Sequence, residues 1–320
     1  MKRLLPALLA LPLLAAANPI PPCAGCFPPD VRTVAIVMPG SVLSKPDFDR
    51  GVAMLKAAGY RVKLASRLAF KEQAPVEDRV ADLEEAWMDP EVDLVLCARG
   101  GRGTEDLLPK LDWAKLRTRR QRVLGFSNIT WLLNAMLKED AGHPFSGPTL
   151  GSLIRADAQA YAWTSAALGG GRLPELKLRP LRPGACVGKP CGGHIAMIAR
   201  AVKAGWAADP KGRIVFLERS VCHPSTVREE LDALVEGGYF ADCAGVVFGD
   251  ITPGDENGKH LTGEALKAGR AEVRQIKEDF AAKVTCPVWD GYPYGHVPLN
   301  CAIDFLREIS ISADGVLKAR

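Results

Sequence analysis

Three short segments, far apart in the chain, each contain one polar side chain that is typical of hydrolytic chemistry. They are GFSN at 125–128, FLER at 216–219 and YGHVPLN at 294–300, and each lies just past a predicted strand. A serine hydroxyl needs a base to take its proton, and that base needs a carboxylate to orient it. Reactive groups of open parallel sheets gather beyond the carboxyl ends of the strands, so the three segments predict a Ser–Glu–His hydrolase.

The serine of the first segment, Ser127, sits between a predicted strand and a predicted helix. Such a turn exposes the side-chain oxygen and points backbone N–H groups at a reacting group. The pattern G-x-S-x-G is absent because position 129 is isoleucine, and a serine here could instead be a helix N-cap. The sequence RGGRG at 99–103 favours the nucleophile, because paired glycines free an N–H for an oxyanion. A plain tight turn is the alternative for those glycines.

The best candidates for the base and the acid are His296 and Glu218. His296 lies in a turn after a strand, directly after a glycine and four residues before Asn300. Glu218 ends a very apolar strand, where an unpaired buried charge would be costly. An ion pair with Arg219 or Arg228 is the alternative for Glu218. The histidines that compete with His296 are His143, His194, His223 and His260.

The elements that must position these segments alternate between strands and helices in the first half of the chain. Apolar runs predict strands, and apolar residues at helical spacing predict helices. The predicted strands are 34–38, 61–65, 94–97 and 123–126, and the predicted helices are 48–58, 76–87 and 129–137. This alternation indicates a parallel sheet with helices on both faces. We therefore expect an α/β fold with an N-terminal domain over residues 31–150.

The second half of the chain is expected to form a separate, smaller domain. Residues 151–190 are rich in Gly and Pro and predict a linker between the domains. Residues 191–320 follow as a C-terminal α/β domain, with predicted strands at 214–217, 245–248 and 287–289. Because this domain has fewer regular elements, we expect its sheet to be partly barrel-like.

The composition is that of a globular protein. Of the 320 residues, 48% are hydrophobic and 24% are charged, which excludes a disordered chain. The net charge of +4 is small, and no basic run is accompanied by aromatic stacking residues, so no nucleic-acid partner is expected.

The first 17 residues have the pattern of a secretory signal. Lys2 and Arg3 precede a short apolar run that ends in alanines at 15–17, and this run is too short to span a membrane. We expect export to the periplasm, with residues 18–30 as a Pro-rich lead. A lipoprotein modified at Cys26 is the alternative.

Nine cysteines are many for a cytosolic enzyme, and an exported chain can oxidise them. Cys243 and Cys286 both precede predicted strands, whereas Cys222 follows one. Since the first two should lie at the same edge of the sheet, we predict a Cys243–Cys286 disulfide in preference to Cys222–Cys243. The histidines near the closely spaced cysteines do not complete a zinc ligand set, so no metal is expected.

In this order and spacing, the segments resemble the LD-carboxypeptidases, a serine peptidase family that also includes the microcin C immunity peptidases. The resemblance covers nearly all of the chain after the lead. Its further motifs are PGS at 39–41, TxLL at 130–133, GP at 147–148 and CGGH at 191–194.

The resemblance implies a flavodoxin-like N-terminal domain that carries the serine and a C-terminal domain that carries the acid and the base. By position these residues are Ser127, Glu218 and His296. The matching oxyanion donors are the backbone N–H groups of Gly101 and Asn128. The resemblance implies removal of the terminal D-alanine from a murein tetrapeptide. It also implies a homodimer that needs no cofactor.

The candidate substrate-binding residues are Arg99, Gly100 and Arg102, because an arginine can hold a substrate carboxylate; Arg99 could equally be structural. Two other functions remain open at this point. One is cleavage of an aminoacyl–nucleotide conjugate, and the other is solute binding without catalysis. The sequence departs from the family at Asn128, where Asp is usual, at His194, where Asn is usual, and over residues 219–229.

Overall fold

The computed structural model describes Cys23 and residues 25–319. The predicted signal segment therefore lies outside the described residues. The described residues form two α/β domains, and among them no helix is long and apolar enough to cross a membrane.

The N-terminal domain is a mainly parallel sheet with helices on both faces, as predicted. Parallel pairing places its first five strands in the order β2–β1–β3–β4–β5. The strands are β1 (Thr33–Val37), β2 (Arg61–Leu64), β3 (Leu94–Cys97), β4 (Arg122–Gly125) and β5 (His143–Ser146). The helices are α1 (Lys45–Ala57), α2 (Val76–Met88), α3 (Trp113–Leu116) and α4 (Thr130–Lys138). Two 3₁₀ helices, Glu105–Lys110 and Ser127–Ile129, follow β3 and β4.

The central strands of this sheet are continuous apolar runs because both of their faces are covered. Every residue of β1 and β3 is buried. Apolar clusters fill both sides of the sheet, one around Trp87 and Leu133 and the other around Phe48 and Leu150. This packing holds the carboxyl ends of β3 and β4 side by side, where the RGGRG and GFSN segments begin.

The C-terminal domain contains two open sheets, where a single partly barrel-like sheet was expected. One is mainly parallel and the other is antiparallel. The five-stranded sheet has the order β7–β12–β11–β10–β9, and only β7 is antiparallel to its neighbour. Its strands are β7 (Arg179–Arg182), β9 (Pro190–His194), β10 (Ile214–Cys222), β11 (Gly245–Pro253) and β12 (Val288–Asp290). Its helices are α7 (Ile195–Ala204), α8 (Pro224–Glu236) and α9 (Gly263–Lys283). The antiparallel sheet contains β6 (Leu176–Lys177), β8 (Cys186–Gly188), β14 (Ile309–Ile311) and β15 (Val316–Ala319).

The segment expected to be a linker is structured, and a second segment, near the C-terminus, returns to the N-terminal sheet. Residues 151–190 include most of α5 (Leu150–Leu153) and all of α6 (Ala158–Leu168), whose Trp163 is buried. Near the C-terminus, β13 (Ile303–Asp304) pairs antiparallel with β5 of the N-terminal sheet. Nε2 of His143 on β5 lies 2.6 Å from Oδ1 of Asp304 on β13, within hydrogen-bond distance. Residues 303–304 therefore form an edge strand of the sheet that carries Ser127.

Candidate active site

Ser127, His296 and Glu218 come together in one hydrogen-bonded chain at the junction of the two domains. Nε2 of His296 lies 3.2 Å from Oγ of Ser127, and Nδ1 of His296 lies 2.8 Å from Oε2 of Glu218. These are distances at which an imidazole can take the serine proton while the carboxylate fixes its tautomer. The two alternatives for Glu218 are not observed, because Arg219 pairs with Glu230 and Arg228 pairs with Asp279.

Ser127 occupies a strained turn between β4 and α4. Its φ angle is +64°, in the left-handed region that disfavours every side chain with a Cβ by roughly 1–2 kcal/mol. Gly100 makes room for this turn, because a Cβ at position 100 would lie 2.8 Å from the Ser127 Cβ. Strained residues of this kind are common at active sites, where the surrounding packing holds them in place. The Ser127 hydroxyl lies within hydrogen-bond distance of Nε2 of His296, which is the arrangement expected of a nucleophile.

Burial shapes the electrostatics of the acid and the base. Glu218 is fully buried, and its Oε1 has no hydrogen-bond partner among the described residues. Burial by itself disfavours the charged form of His296, but the Glu218 charge and hydrogen bond outweigh it and raise the pKa of His296 above its ordinary value. The carboxylate therefore favours the protonated, imidazolium form of His296.

The loop that carries His296 is held by contacts on both sides of the histidine. Tyr294 is fully buried, and its hydroxyl lies 2.7 Å from Oγ of Ser146 on β5. The Gly295 N–H donates to Oδ1 of Asn300 at 3.0 Å. The ring of Phe126 packs against the imidazole of His296 with 4.9 Å between centroids. The base is therefore positioned by groups from both domains.

The predicted oxyanion donors, Gly101 and Asn128, line the same cleft as Ser127. A small polar network joins the two turns that carry them. Gly101 has a φ angle of +87°, and its N–H has no acceptor among the described residues. Asn128 is buried, its Oδ1 accepts from the Thr104 N–H at 3.0 Å, and its Nδ2 donates to Oε2 of Glu105 at 3.0 Å. The same Glu105 oxygen accepts from the Gly103 N–H at 3.0 Å. Glu105, which sequence reasoning missed, thus couples the Gly-rich turn to the nucleophile turn.

The hydrogen-bonded chain opens onto a cleft of about 790 Å³. Ser127, His296, Gly100, Gly101 and Asn128 all line it.

The two arginines predicted to bind substrate differ in their positions. Arg99 lines the cleft, and its guanidinium donates to the Val42 carbonyl at 2.8 Å without an ion pair to any described carboxylate. Arg102 is not among the residues that line the cleft, and its backbone is held by two side chains: its N–H donates to Oγ of Ser41 and its carbonyl accepts from Gln73.

His194 and Ser220 also line the cleft, and of the two the sequence analysis identified only His194. His194 ends β9 directly opposite Glu218, and its ring meets that of His296 edge-on at 5.9 Å. Its Nε2 lies 3.0 Å from Oγ of Ser220 and also faces the Ser220 N–H, so Nε2 is an acceptor. Burial, followed by the charge of Arg219, lowers the pKa of His194, which keeps it neutral at neutral pH. The sequence feature that indicated His194 was its position at the end of the CGGH motif.

The remaining histidines are occupied elsewhere. His143 pairs with Asp304, and His223 caps α8 through Ser225. His260 lies in a loop joined by a single bridge to Gly254. Among the described residues, no cluster of three or more His, Cys, Asp or Glu side chains could hold a metal ion.

Comparison with known proteins identifies the family. Residues 34–146 match the LD-carboxypeptidase N-terminal domain, and residues 187–311 match the LD-carboxypeptidase C-terminal domain. A probable murein peptide carboxypeptidase of Bacillus subtilis is 26% identical over 287 residues, which cover 85% of this chain and 86% of that protein. A putative carboxypeptidase of Streptomyces coelicolor is 31% identical over 250 residues, covering 74% of each chain.

Solved structures and more distant relatives agree with this assignment. The crystal structure of muramoyltetrapeptide carboxypeptidase from Oxalobacter formigenes has a TM-score of 0.78 at 25% identity, covering 90% of this chain and 97% of that one. The microcin C7 self-immunity protein MccF of Escherichia coli is 27% identical over 142 residues, covering 43% of this chain and 39% of that protein. The family thus includes peptidases with different substrates. The chain belongs to the LD-carboxypeptidase family and is a serine carboxypeptidase.

Proposed function

We propose that this enzyme removes the terminal D-alanine from murein tetrapeptide through an acyl-enzyme formed on Ser127. The observation that carries the proposal is the continuous Ser127–His296–Glu218 hydrogen-bonded chain in the wall of a cleft large enough for a peptide. The murein peptide carboxypeptidase of Bacillus subtilis, which matches over most of both chains, supports the choice of substrate.

In the acylation step, His296 takes the Ser127 proton as the hydroxyl oxygen attacks the carbonyl of the third residue. The negative charge that develops on that carbonyl oxygen faces the backbone N–H groups of Gly101 and Asn128. His296 then gives its proton to the amine of D-alanine, which leaves. Water, deprotonated by His296, hydrolyses the ester and releases the tripeptide. Glu218 keeps the imidazole in the tautomer that both steps need.

A carboxypeptidase must recognise the free carboxylate at the end of its substrate. Arg99 is the cleft arginine whose guanidinium has no ion pair with a described carboxylate, whereas Arg155 already pairs with Asp47 at 3.2 Å. We assign the substrate C-terminal carboxylate to Arg99. This contact would place the last peptide bond, rather than an internal one, at Ser127.

A second candidate is cleavage of an aminoacyl–nucleotide conjugate, which the part-length similarity to MccF favours. Both candidates use the same triad, so the leaving group separates them. A direct test gives the purified enzyme murein tetrapeptide, murein pentapeptide and glutamyl sulfamoyl guanosine, the ligand in a solved structure of MccF, with products identified by mass spectrometry. We expect tripeptide from the tetrapeptide and no reaction with the other two. Turnover of the nucleotide conjugate alone would favour the second candidate.

We further propose that the enzyme acts in the periplasm as a homodimer, after cleavage of the segment 1–17. The proposal rests on the signal pattern of that segment and on the family resemblance. N-terminal sequencing of the natively expressed protein should find a chain that begins near Asn18. A chain that keeps Met1 in the cytosol would contradict export, and light scattering of the mature protein tests the dimer.

A further inference from the structure

Two cysteines of the C-terminal domain lie in contact at the amino ends of neighbouring strands, away from the cleft. Cys243 precedes β11 and Cys286 precedes β12, and their Sγ atoms are 3.3 Å apart. Both side chains are buried. Neighbouring strands lie about 4.8 Å apart, within the range of Cα separations that disulfides span. Bond formation here needs only a small movement of the side chains.

The alternative partner Cys222 lies at the opposite edge of the sheet. It is paired in register with Pro253 at the end of β11, whereas Cys243 precedes the start of that nine-residue strand. At about 3.3 Å per residue the two cysteines are roughly 30 Å apart. A Cys222–Cys243 bond would therefore require the sheet to unfold.

The two thiols of the buried pair are not equivalent. The Cys243 thiol donates to the Cys286 sulfur, and Arg182, which donates to the Thr285 carbonyl, lies next to Cys286. The hydrogen bond from Cys243, aided by the charge of Arg182, lowers the pKa of Cys286 despite its burial. The same contact, together with burial, raises the pKa of Cys243. Since the thiolate is the nucleophile, Cys286 is the sulfur that reacts first.

A third thiol borders this pair without sharing its chemistry. The nine cysteines all lie in the described part of the chain, and Cys186 is the one that is partly exposed. A Cβ at Gly245 would lie 3.2 Å from its Sγ, so Cys186 adjoins the segment that leads into β11. Burial, followed by the charge of Cys286, raises the pKa of Cys186 to about 12, which keeps it a protonated thiol.

We propose that Cys243 and Cys286 are a redox-modified site, oxidised by small-molecule disulfides, in which Cys286 attacks first and Cys186 stays reduced. The Cys286 thiolate attacks one sulfur of the small disulfide and releases one small thiolate, giving a mixed disulfide. The Cys243 sulfur then attacks the Cys286 sulfur and displaces the second small thiolate. Two protein thiols are oxidised to one disulfide, one small disulfide is reduced to two thiols, and the protons pass to water. The bond ties the amino end of β11 to the amino end of β12.

The test oxidises the reduced full-length protein with glutathione disulfide, alkylates the remaining thiols and maps the peptides by mass spectrometry. We expect a Cys243–Cys286 cross-link, with Cys186 and Cys222 alkylated, and a melting temperature roughly 5–10 °C above that of the reduced protein. Cys243→Ala should lose this shift and trap a glutathione adduct on Cys286. Cys222→Ala, the matched control, should keep both the cross-link and the shift.

Three results would overturn the proposal. They are alkylation of both Cys243 and Cys286 after oxidation, a cross-link that contains Cys186, and a glutathione adduct that forms on Cys243 in Cys286→Ala but not on Cys286 in Cys243→Ala. The peptide map reads the bonds directly, so a variant that folds poorly does not obscure the result for the unmodified chain. None of these outcomes depends on catalytic activity.

Discussion

Restoring the residue usual in the family, by Asn128→Asp, should damage this enzyme. In the structure the Asn128 amide donates to Oε2 of Glu105 at 3.0 Å, and that oxygen also accepts from the Gly103 N–H. The substitution replaces the donor with a carboxylate and places two negative charges in contact. The Thr104 N–H can still donate to the new side chain, so the contacts that change are those of the amide nitrogen, with Glu105 and with the Met197 sulfur at 3.3 Å.

The size of the effect follows from the two ways in which the site can respond. Loss of a hydrogen bond to a charged group costs about 1.5–3 kcal/mol. Repulsion adds to this, but protonation of one carboxyl group limits the total, since neutralising an acid of pKa near 4 at pH 7 costs about 4 kcal/mol. Asn128 is 2% exposed and Glu105 is half-buried, so solvent relieves little of this penalty. We expect Asn128→Asp to lower the free energy of unfolding by about 2–4 kcal/mol at pH 7.

Urea denaturation of four proteins measures this coupling: the native chain, Asn128→Asp, Glu105→Gln and the double variant. Glu105→Gln alone should cost less than Asn128→Asp, and in the double variant the glutamine amide can donate to the new carboxylate and restore most of the lost stability. The shared proton raises the pKa of the pair in the folded state, so the penalty should shrink as pH falls towards 5. Native stability of Asn128→Asp, or no recovery in the double variant, would refute this reasoning.

Three further substitutions test other parts of the site. Glu218→Gln should lower kcat and move the acidic limb of the kcat/KM profile to lower pH, because the charge that raises the pKa of His296 is removed and burial then lowers it; a shift to higher pH would contradict the account. Gly100→Ala should lower kcat by about 100-fold with an unchanged circular dichroism spectrum, because the new methyl group would lie 2.8 Å from the Ser127 Cβ; near-normal turnover would mean that the turn is not constrained. Arg99→Ala should raise KM by about 10- to 100-fold and leave kcat largely intact, as expected for loss of a charge-assisted contact. Arg102→Ala is the matched control, because Arg102 is not among the residues that line the cleft. Equal effects of the two substitutions would contradict the assignment of the substrate carboxylate to Arg99.

The parallel sheet and its order of elements could be predicted from the sequence because the relevant signals are local. The apolar runs that form β1, β3 and β10 are buried on both faces, and each ends at a polar or glycine-rich segment. Ser127 follows β4 of the N-terminal sheet and Glu218 lies on β10 of the C-terminal sheet, so the sequence predicted each position on its own strand, whereas their proximity depends on how the two domains pack. The helix α4 begins one residue later than expected because Ser127–Ile129 forms a 3₁₀ turn that holds the strained serine.

The parts that escaped prediction depend on contacts between distant residues. β13 is two residues long and exists only because it pairs with β5, about 160 positions earlier in the chain. Helix α6 was hidden by the surrounding Gly and Pro, although the burial of Trp163 and Tyr161 explains why it forms. Glu105 could not be predicted, because its role depends on one oxygen that accepts from both Gly103 and Asn128, which lie in different turns.

Conversion of murein tetrapeptide to tripeptide by the purified enzyme, compared with Ser127→Ala and His296→Ala, tests the central claim most directly. We expect the native enzyme to release one D-alanine per tripeptide, without loss of activity in chelator. Each substitution should lower turnover by several orders of magnitude while the protein stays folded, because the nucleophile and the base act as one unit. Substantial tripeptide formation by folded Ser127→Ala would contradict the account, since the reaction would then not proceed through this serine.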